Sequence, residues 1–291
     1  MRKKNKTVRT KSIFSCLVVA FLIIGMLATA TSVQAGAKQW LAHDSQSEVE
    51  IPEVALVSAS ADTIELQAIL PELRFGETTI SGQHYLTLNG EGYLMVGEVG
   101  APALPVVRQM VEVPLGAEVS LQLLQSTTKS VNLTELGLQG QIAPVQPSQP
   151  KCGDPIAPCG PSAGIYGGGL YPHNQLAITD DYIMRGHRIV VVEIRPVRYD
   201  AALGELEVTS EMRLRLNLSG SDLALTYSEA DRLNSAPINR IMQPVVLNYN
   251  QGRPVAIPNT NERYLIITAD MFEAGLADYV TLKANQGFSV S

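Results

Sequence analysis

The chain has 291 residues, 45% of them hydrophobic and 17% charged, with a net charge of -6 and an isoelectric point near 5.3. That composition describes a globular chain and excludes a nucleic-acid binder, because an acidic surface has no basic patch with which to release phosphate counterions. Without the six basic residues of the N-terminal leader the net charge falls from -6 to -12, which sharpens the exclusion.

Arg2, Lys3, Lys4, Lys6, Arg9 and Lys11 precede an uncharged apolar stretch from Ile13 to about Ala30, closed by Val33-Gln34-Ala35. A basic start, an apolar centre and small residues around Gln34 form a bacterial, Sec-type secretory signal, predicting cleavage between Ala35 and Gly36. Residues 1–35 are then an export leader, and the mature chain is secreted or at the cell surface without a membrane attachment. An uncleaved anchor is the alternative for an apolar stretch of this length. Cys16 lies ahead of where a lipoprotein cysteine would sit, so lipidation is not expected.

Residues 36–50 are polar and unpatterned, a flexible start. From residue 51 to 219 the pattern is that of an antiparallel β-sandwich. Leu66, Ala68 and Leu70, then Leu86 and Leu88, alternate with polar residues and are separated by the turn formers Ser81-Gly82 and Asn89-Gly90-Glu91-Gly92. Val107 to Val113 is a strand stopped by Pro114, and Val119, Leu121 and Leu123 alternate with Glu118, Ser120 and Gln122. Between Gln141 and Gly164 stand Pro144, Pro147, Pro150, Pro155, Pro158 and Pro161, which make residues 141–164 a long loop inside the domain. That loop holds Cys152 and Cys159, the cysteines remaining after the leader, and in an oxidising compartment their spacing predicts a small disulfide. Gly167-Gly168-Gly169 lacks the Lys-Ser/Thr of a phosphate loop and is read as a turn.

Arg188 to Ile194 is a buried-strand run, Tyr199 to Glu205 carries Asp200 and Gly204 as turn formers, and Met212 to Leu218 alternates without a break. Together they predict a long hairpin with one face in a core and Arg213 and Arg215 on the solvated face. Residues 220–261 weaken in pattern and carry Pro237, Pro244, Pro254 and Pro258, the mark of an extended connector. Residues 262–291 switch to a short strand at Tyr264 to Thr268, a helix with Asp270 and Glu273 at capping-box spacing, Gly287 as its terminator, and the start of another strand. This is the opening of a βαβ unit, so the chain reads as the front part of something larger, with a tail from Gln251 that is open to proteases.

Chemistry-bearing patterns are sparse. His43, His84, His173 and His187 stand at no metal spacing, so neither a metal nor another cofactor is expected. No G-x-S-x-G is present, and a Cys152 or Cys159 nucleophile with His173 or His187 yields to the disulfide reading. Asp154, Asp180 and Asp181 follow no calcium-loop template and are read as surface carboxylates. No catalytic residue is expected.

Gly97-Glu98-Val99-Gly100-Ala101-Pro102-Ala103-Leu104-Pro105, followed by Val111-Glu112-Val113-Pro114-Leu115-Gly116-Ala117, resembles the first conserved stretch in propeptides of gingipain-like cysteine endopeptidases, peptidase family C25. Tyr171-Pro172, Gly186 to Val192 with Pro196 and Tyr199, and Gly204-Glu205-Leu206 resemble a second block, and Tyr264 to Ser291 is similar to the first βαβ of the caspase-like catalytic domain. The resemblance implies a zymogen: leader, β-sandwich pro-domain, connector, then a peptidase using a His/Cys pair. The family's catalytic His and Cys lie beyond the first βαβ, so no position here receives them, and no activity is expected of this chain. The implied role is that of an intramolecular inhibitor and folding aid for a C25-type catalytic domain. Arg232, Arg240, Arg253 and Arg263 are the implied processing sites, if the peptidase prefers basic residues. An exported β-sandwich binding or adhesion module without a peptidase partner is the alternative.

Overall fold

Two-residue alternation dominates the chain, and it builds strands. A computed structural model describes residues 50–249 and 263–291; the leader, the Ala35–Gly36 junction, His43 and Arg253 lie outside the described residues. The strands run β1 (Glu53–Ala59), β2 (Thr63–Ile69), β3 (Arg74–Ile80), β4 (Gln83–Asn89), β5 (Leu94–Met95), β6 (Pro105–Val113) and β7 (Glu118–Asn132). After helix α1 (Ala163–Tyr166) come β8 (Leu170–Tyr171), β9 (Leu176–Met184), β10 (His187–Ile194), β11 (Val197–Asp200) and β12 (Glu205–Ser219). Helices α2 (Leu223–Arg232) and α3 (Ala236–Met242) follow, and the C-terminal part holds β13 (Arg263–Tyr264), α4 (Asp270–Glu273), α5 (Ala277–Asn285) and β14 (Ser289–Val290).

The architecture is mainly antiparallel β, as the alternation predicts. Strand β12 is the axis of the first sheet. Along one edge it pairs with β7 over nearly its whole length, and along the other with β11 and then β2, which in turn pairs with β1. A second sheet has the order β5-β6-β10-β9. The inward residues of both sheets, among them Leu66 and Ala68 of β2, Val111 of β6, Val190 and Val192 of β10 and Leu214 and Leu216 of β12, form one apolar cluster. At about 25 cal/mol per Å² of apolar surface removed from water, this shared layer is the main stabilising term of the body. The β3–β4 hairpin closes a second cluster with Tyr166, Val197, Tyr199 and Leu206, and its turn is Ser81-Gly82, both residues at positive φ. That is the geometry a two-residue hairpin turn requires.

Three expectations are corrected by the topology. Strands β10 and β12 do not form one hairpin: the Arg195 amide still bonds Gln175 O beside the second sheet, while Pro196 O accepts from Thr209 of the first. The chain crosses between sheets at that single peptide, and the hairpin is the shorter β11–β12 pair. The segment after Ser219 is not extended where it is described. Asp222 accepts from the Leu225 amide and Ser235 from that of Ile238, so each caps a helix, and Pro237 stands in the first turn of α3. The capping box at Asp270 is also absent, because α4 starts behind Ala269 without a side-chain cap. The βαβ reading itself holds: β13 and β14 pair in parallel, Arg263 opposite Ser289 and Tyr264 opposite Val290.

The reason for α3 lies in β10. Its central run, Ile189 to Val192, is apolar on both faces, and all of its residues but Arg188 are buried. Val190 and Val192 face the first sheet, whereas Ile189 packs outward against Met242, Val246 and Ile238. A strand with no polar face needs a cover on each side. The helical segment is that cover.

Candidate functional site

Residues 141–162 fold into a two-armed finger. Its prolines fix φ and push each preceding residue toward extended backbone, but they also strip the arms of amide donors. Two glutamine side chains supply the missing bonds. Gln146 donates through Nε2 to Cys159 O at 2.9 Å and accepts the Cys159 amide at 3.0 Å. Gln149 does the same with Ile156, at 3.1 and 2.9 Å. A carboxamide carries both a donor and an acceptor, so each glutamine reproduces the pair of bonds that a strand residue makes. The rungs stand at 146/159 near the base and at 149/156 toward the tip, and beyond them Lys151, Cys152, Gly153 and Asp154 are exposed.

The first motif block is the socket of this finger. The Gly100 amide donates to Val145 O, the Val145 amide to Ala101 O, and the Ser162 amide to Gly100 O, so both arms are gripped at one point. Gly100 has φ +87°, and a Cβ there would lie 3.3 Å from Gly160 O and 3.6 Å from Cys159 Sγ. Glycine is required for both the conformation and the approach. Below the socket the Ala143 amide bonds Leu86 O, and the Tyr166 hydroxyl donates to Ile142 O at 2.7 Å. The finger is thereby continuous with the second apolar cluster.

The two motif blocks also meet in a groove of about 250 Å³, with Gly97, Pro102 and Leu104 from one and Tyr171 and Pro172 from the other. Glu193, 5% exposed, lies at its edge between Arg108 Nη2 and Arg195 Nε, each at 2.8 Å. A carboxylate is tolerated at that depth because both oxygens are met by guanidinium groups. Burial raises the Tyr171 phenol above its ordinary pKa.

A polar network docks the helical segment. His187, 2% exposed, has Nδ1 at 2.7 Å from Glu112 Oε1 and Nε2 at 3.4 Å from the Tyr249 hydroxyl. Tyr249 donates to Asn239, and Asn239 to Asn234. Asn248 bonds both the amide and the carbonyl of Glu112, replacing a strand partner along β6. Among the described residues no group of His, Cys, Asp or Glu is placed to hold a metal ion, and no helix is long and apolar enough to cross a membrane.

Other sequence-predicted residues fall as follows. Cys152 and Cys159 are free thiols in this conformation, Cys152 exposed at the tip and Cys159 half-buried at the base. Arg232 lies in the last turn of α2 on Glu229, and Arg240 lies within α3 and donates to Asn285 O. Arg263 is exposed in β13. Arg213 and Arg215 do face solvent, where both bind Glu65 of β2. Asp181 is held by Arg188. Sequence reasoning missed Gln146, Gln149 and Lys151; the repeated Gln-Pro at a three-residue interval was the available signal, because it places two amide side chains on one side of an extended arm.

The family model Propeptide_C25 matches residues 44–251. Lys-gingipain of Porphyromonas gingivalis (strain ATCC 33277) is 27% identical over 219 residues, covering 75% of this chain and 13% of its own length. Gingipain R2 of the same strain is 22% identical over 243 residues, covering 81% of this chain and 32% of that protein. The chain thus spans about an eighth to a third of the length of these relatives. Two solved structures share its fold. One, described as structural insight into zymogenic latency of gingipain K from P. gingivalis, has a TM-score of 0.52 at 24% identity and covers 60% of this chain and 97% of its own. The other, a complex of P. gingivalis RgpB pro- and mature domains, has a TM-score of 0.56 at 19% identity and covers 69% of this chain and 99% of its own. With the match running across both sheets, the finger and the docked helices, this chain belongs to the C25 propeptide family.

Proposed function

We propose that this chain is the pro-region of an exported C25 cysteine peptidase, and that it keeps the catalytic domain latent by placing the finger in its substrate cleft. The observation that carries this reading is the finger itself: a protrusion clamped by two glutamine side chains, with the basic side chain of Lys151 at its exposed tip. The relative named Lys-gingipain makes lysine the fitting side chain for such a cleft, and the related structures named for zymogenic latency and for a pro- and mature-domain complex point the same way. Stiffness matters because a segment ordered before binding loses less entropy on entering a cleft.

In this reading residues 1–35 direct export, the β-sandwich body is the inhibitor, and residues 262–291 open the catalytic domain. Release requires a cut between them. A peptidase binds its substrate in extended form, so Arg232 and Arg240, held in helices, need local unfolding first, and Arg263, exposed in β13, is the favoured processing position among the described residues. The test is titration of a C25 catalytic domain from the same source with the chain. Nanomolar or tighter inhibition is expected, weakened about 30-fold by Lys151→Ala, the loss associated with a buried anchor residue. No inhibition by the unaltered chain refutes the function; equal inhibition by both refutes the role of the finger.

A further inference from the structure

We infer that the finger is a thiol–disulfide switch: Cys152 and Cys159 join only when the glutamine rungs open, so oxidation dismantles the protrusion that the reduced chain presents. Its consequence for latency rests on the function proposed above; the switch itself rests on geometry. Cys159 forms the basal rung through its own amide and carbonyl, and Cys152 lies in the tip past the distal rung. Cys159 lies three residue steps beyond Ile156, about 9 Å along an extended, proline-containing arm at roughly 3.1 Å per step. Bridged cysteines keep their Cα atoms within about 7 Å. The rungs therefore hold apart two thiols that the short intervening sequence would let meet. Both are free thiols in the clamped state.

The two sulfurs differ in access. Cys152 is exposed, whereas Cys159 is half-buried with its thiol on Gly160 O at 3.4 Å. Cys152, as thiolate, attacks a disulfide oxidant such as glutathione disulfide, forming a mixed disulfide and releasing one glutathione. Once the rungs open, Cys159 loses its proton and attacks the Cys152 sulfur, releasing the second glutathione. Two electrons and two protons pass from the protein thiols to the oxidant, which becomes two thiols.

The experiment equilibrates the full chain across ratios of reduced to oxidised glutathione. Mass spectrometry then follows the loss of two hydrogens between Cys152 and Cys159, while hydrogen–deuterium exchange is read in peptides spanning the Ile156 and Cys159 amides. Bridging with at least tenfold faster exchange at both amides is expected. Cys152→Ser is expected to show neither change, and the double variant Gln146→Ala with Gln149→Ala to bridge at a more reducing ratio. A bridged chain whose two amides stay protected overturns the switch, and so does a chain that does not bridge at any ratio. The bridged chain, freed of glutathione, is then compared with the reduced chain as an inhibitor of the C25 catalytic domain. Loss of inhibition on bridging supports the link to latency; opened rungs with undiminished inhibition leave the switch standing and overturn the occluding role of the finger.

Discussion

Position 186, in the turn between β9 and β10, has room for a hydrogen and nothing larger. Gly186 has φ +82°, and a Cβ there would lie 2.6 Å from Glu229 O and 2.9 Å from the Ala230 amide, both backbone atoms of α2. Neither can yield like a flexible side-chain tip. Gly186→Ala is expected to cost about 2 kcal/mol or more, from left-handed strain plus displacement of α2, read as a lower denaturant midpoint; an unchanged midpoint would mean that α2 does not rest on this turn. Charge acts more gently at this scale. Arg188 donates to Asp181 at 2.7 and 3.0 Å and holds that carboxyl below its ordinary pKa. A depressed acid stabilises the fold above its unfolded pKa and loses that contribution as pH falls through the folded value, which places the loss below about pH 4. Asp181→Asn is expected to flatten that part of the stability profile and to lower neutral-pH stability by the same small amount, under about 1 kcal/mol, since the side chain is 43% exposed. Urea denaturation at pH 3 and pH 7 checks this.

Among elements, β10 and β12 show how much of the packing was legible beforehand. Met212, Leu214, Leu216 and Leu218 alternate with polar residues, so β12 announced one buried face and one wet one, and Arg213 and Arg215 lie on the wet side. The unbroken apolar run of β10 announced two buried faces, but not what would cover the second. The cover came from a stretch read as connector, because α3 is seven residues long and too short for helical periodicity to emerge. Its cap, Ser235, and the early Pro237 were the visible signs. Met242, 1% exposed, seals the outer face of Ile189. Met242→Ala is expected to cost about 2 to 4 kcal/mol through lost burial and the cavity left behind. It should also speed amide exchange in α3 while the shared layer between the sheets stays protected. Uniform loosening of both sheets would contradict a separately docked cover.

At the scale of the whole molecule, residues 263–291 contrast with the body. None of them is buried, and Ile267 and Met271 are 89% and 81% exposed. Segments with few buried apolar contacts open at low free energy. Brief trypsin digestion is therefore expected to cut at Arg263 and Lys283 before any site in the strands of the two sheets, with mass spectrometry identifying the fragments; earlier cuts within the sheets would reverse that ranking.

Alternation, turn residues and proline spacing, which depend on near neighbours in the chain, determined from the sequence by itself that this is a mainly antiparallel β protein ending in a parallel βαβ unit, and placed its loops. The order of strands, the crossing at Arg195–Pro196, the helical cover and the glutamine rungs of the finger were decided by the tertiary structure. Those features depend on which distant surfaces meet and on bonds such as Gln146 to Cys159, made across a turn between residues whose local patterns carry no record of each other.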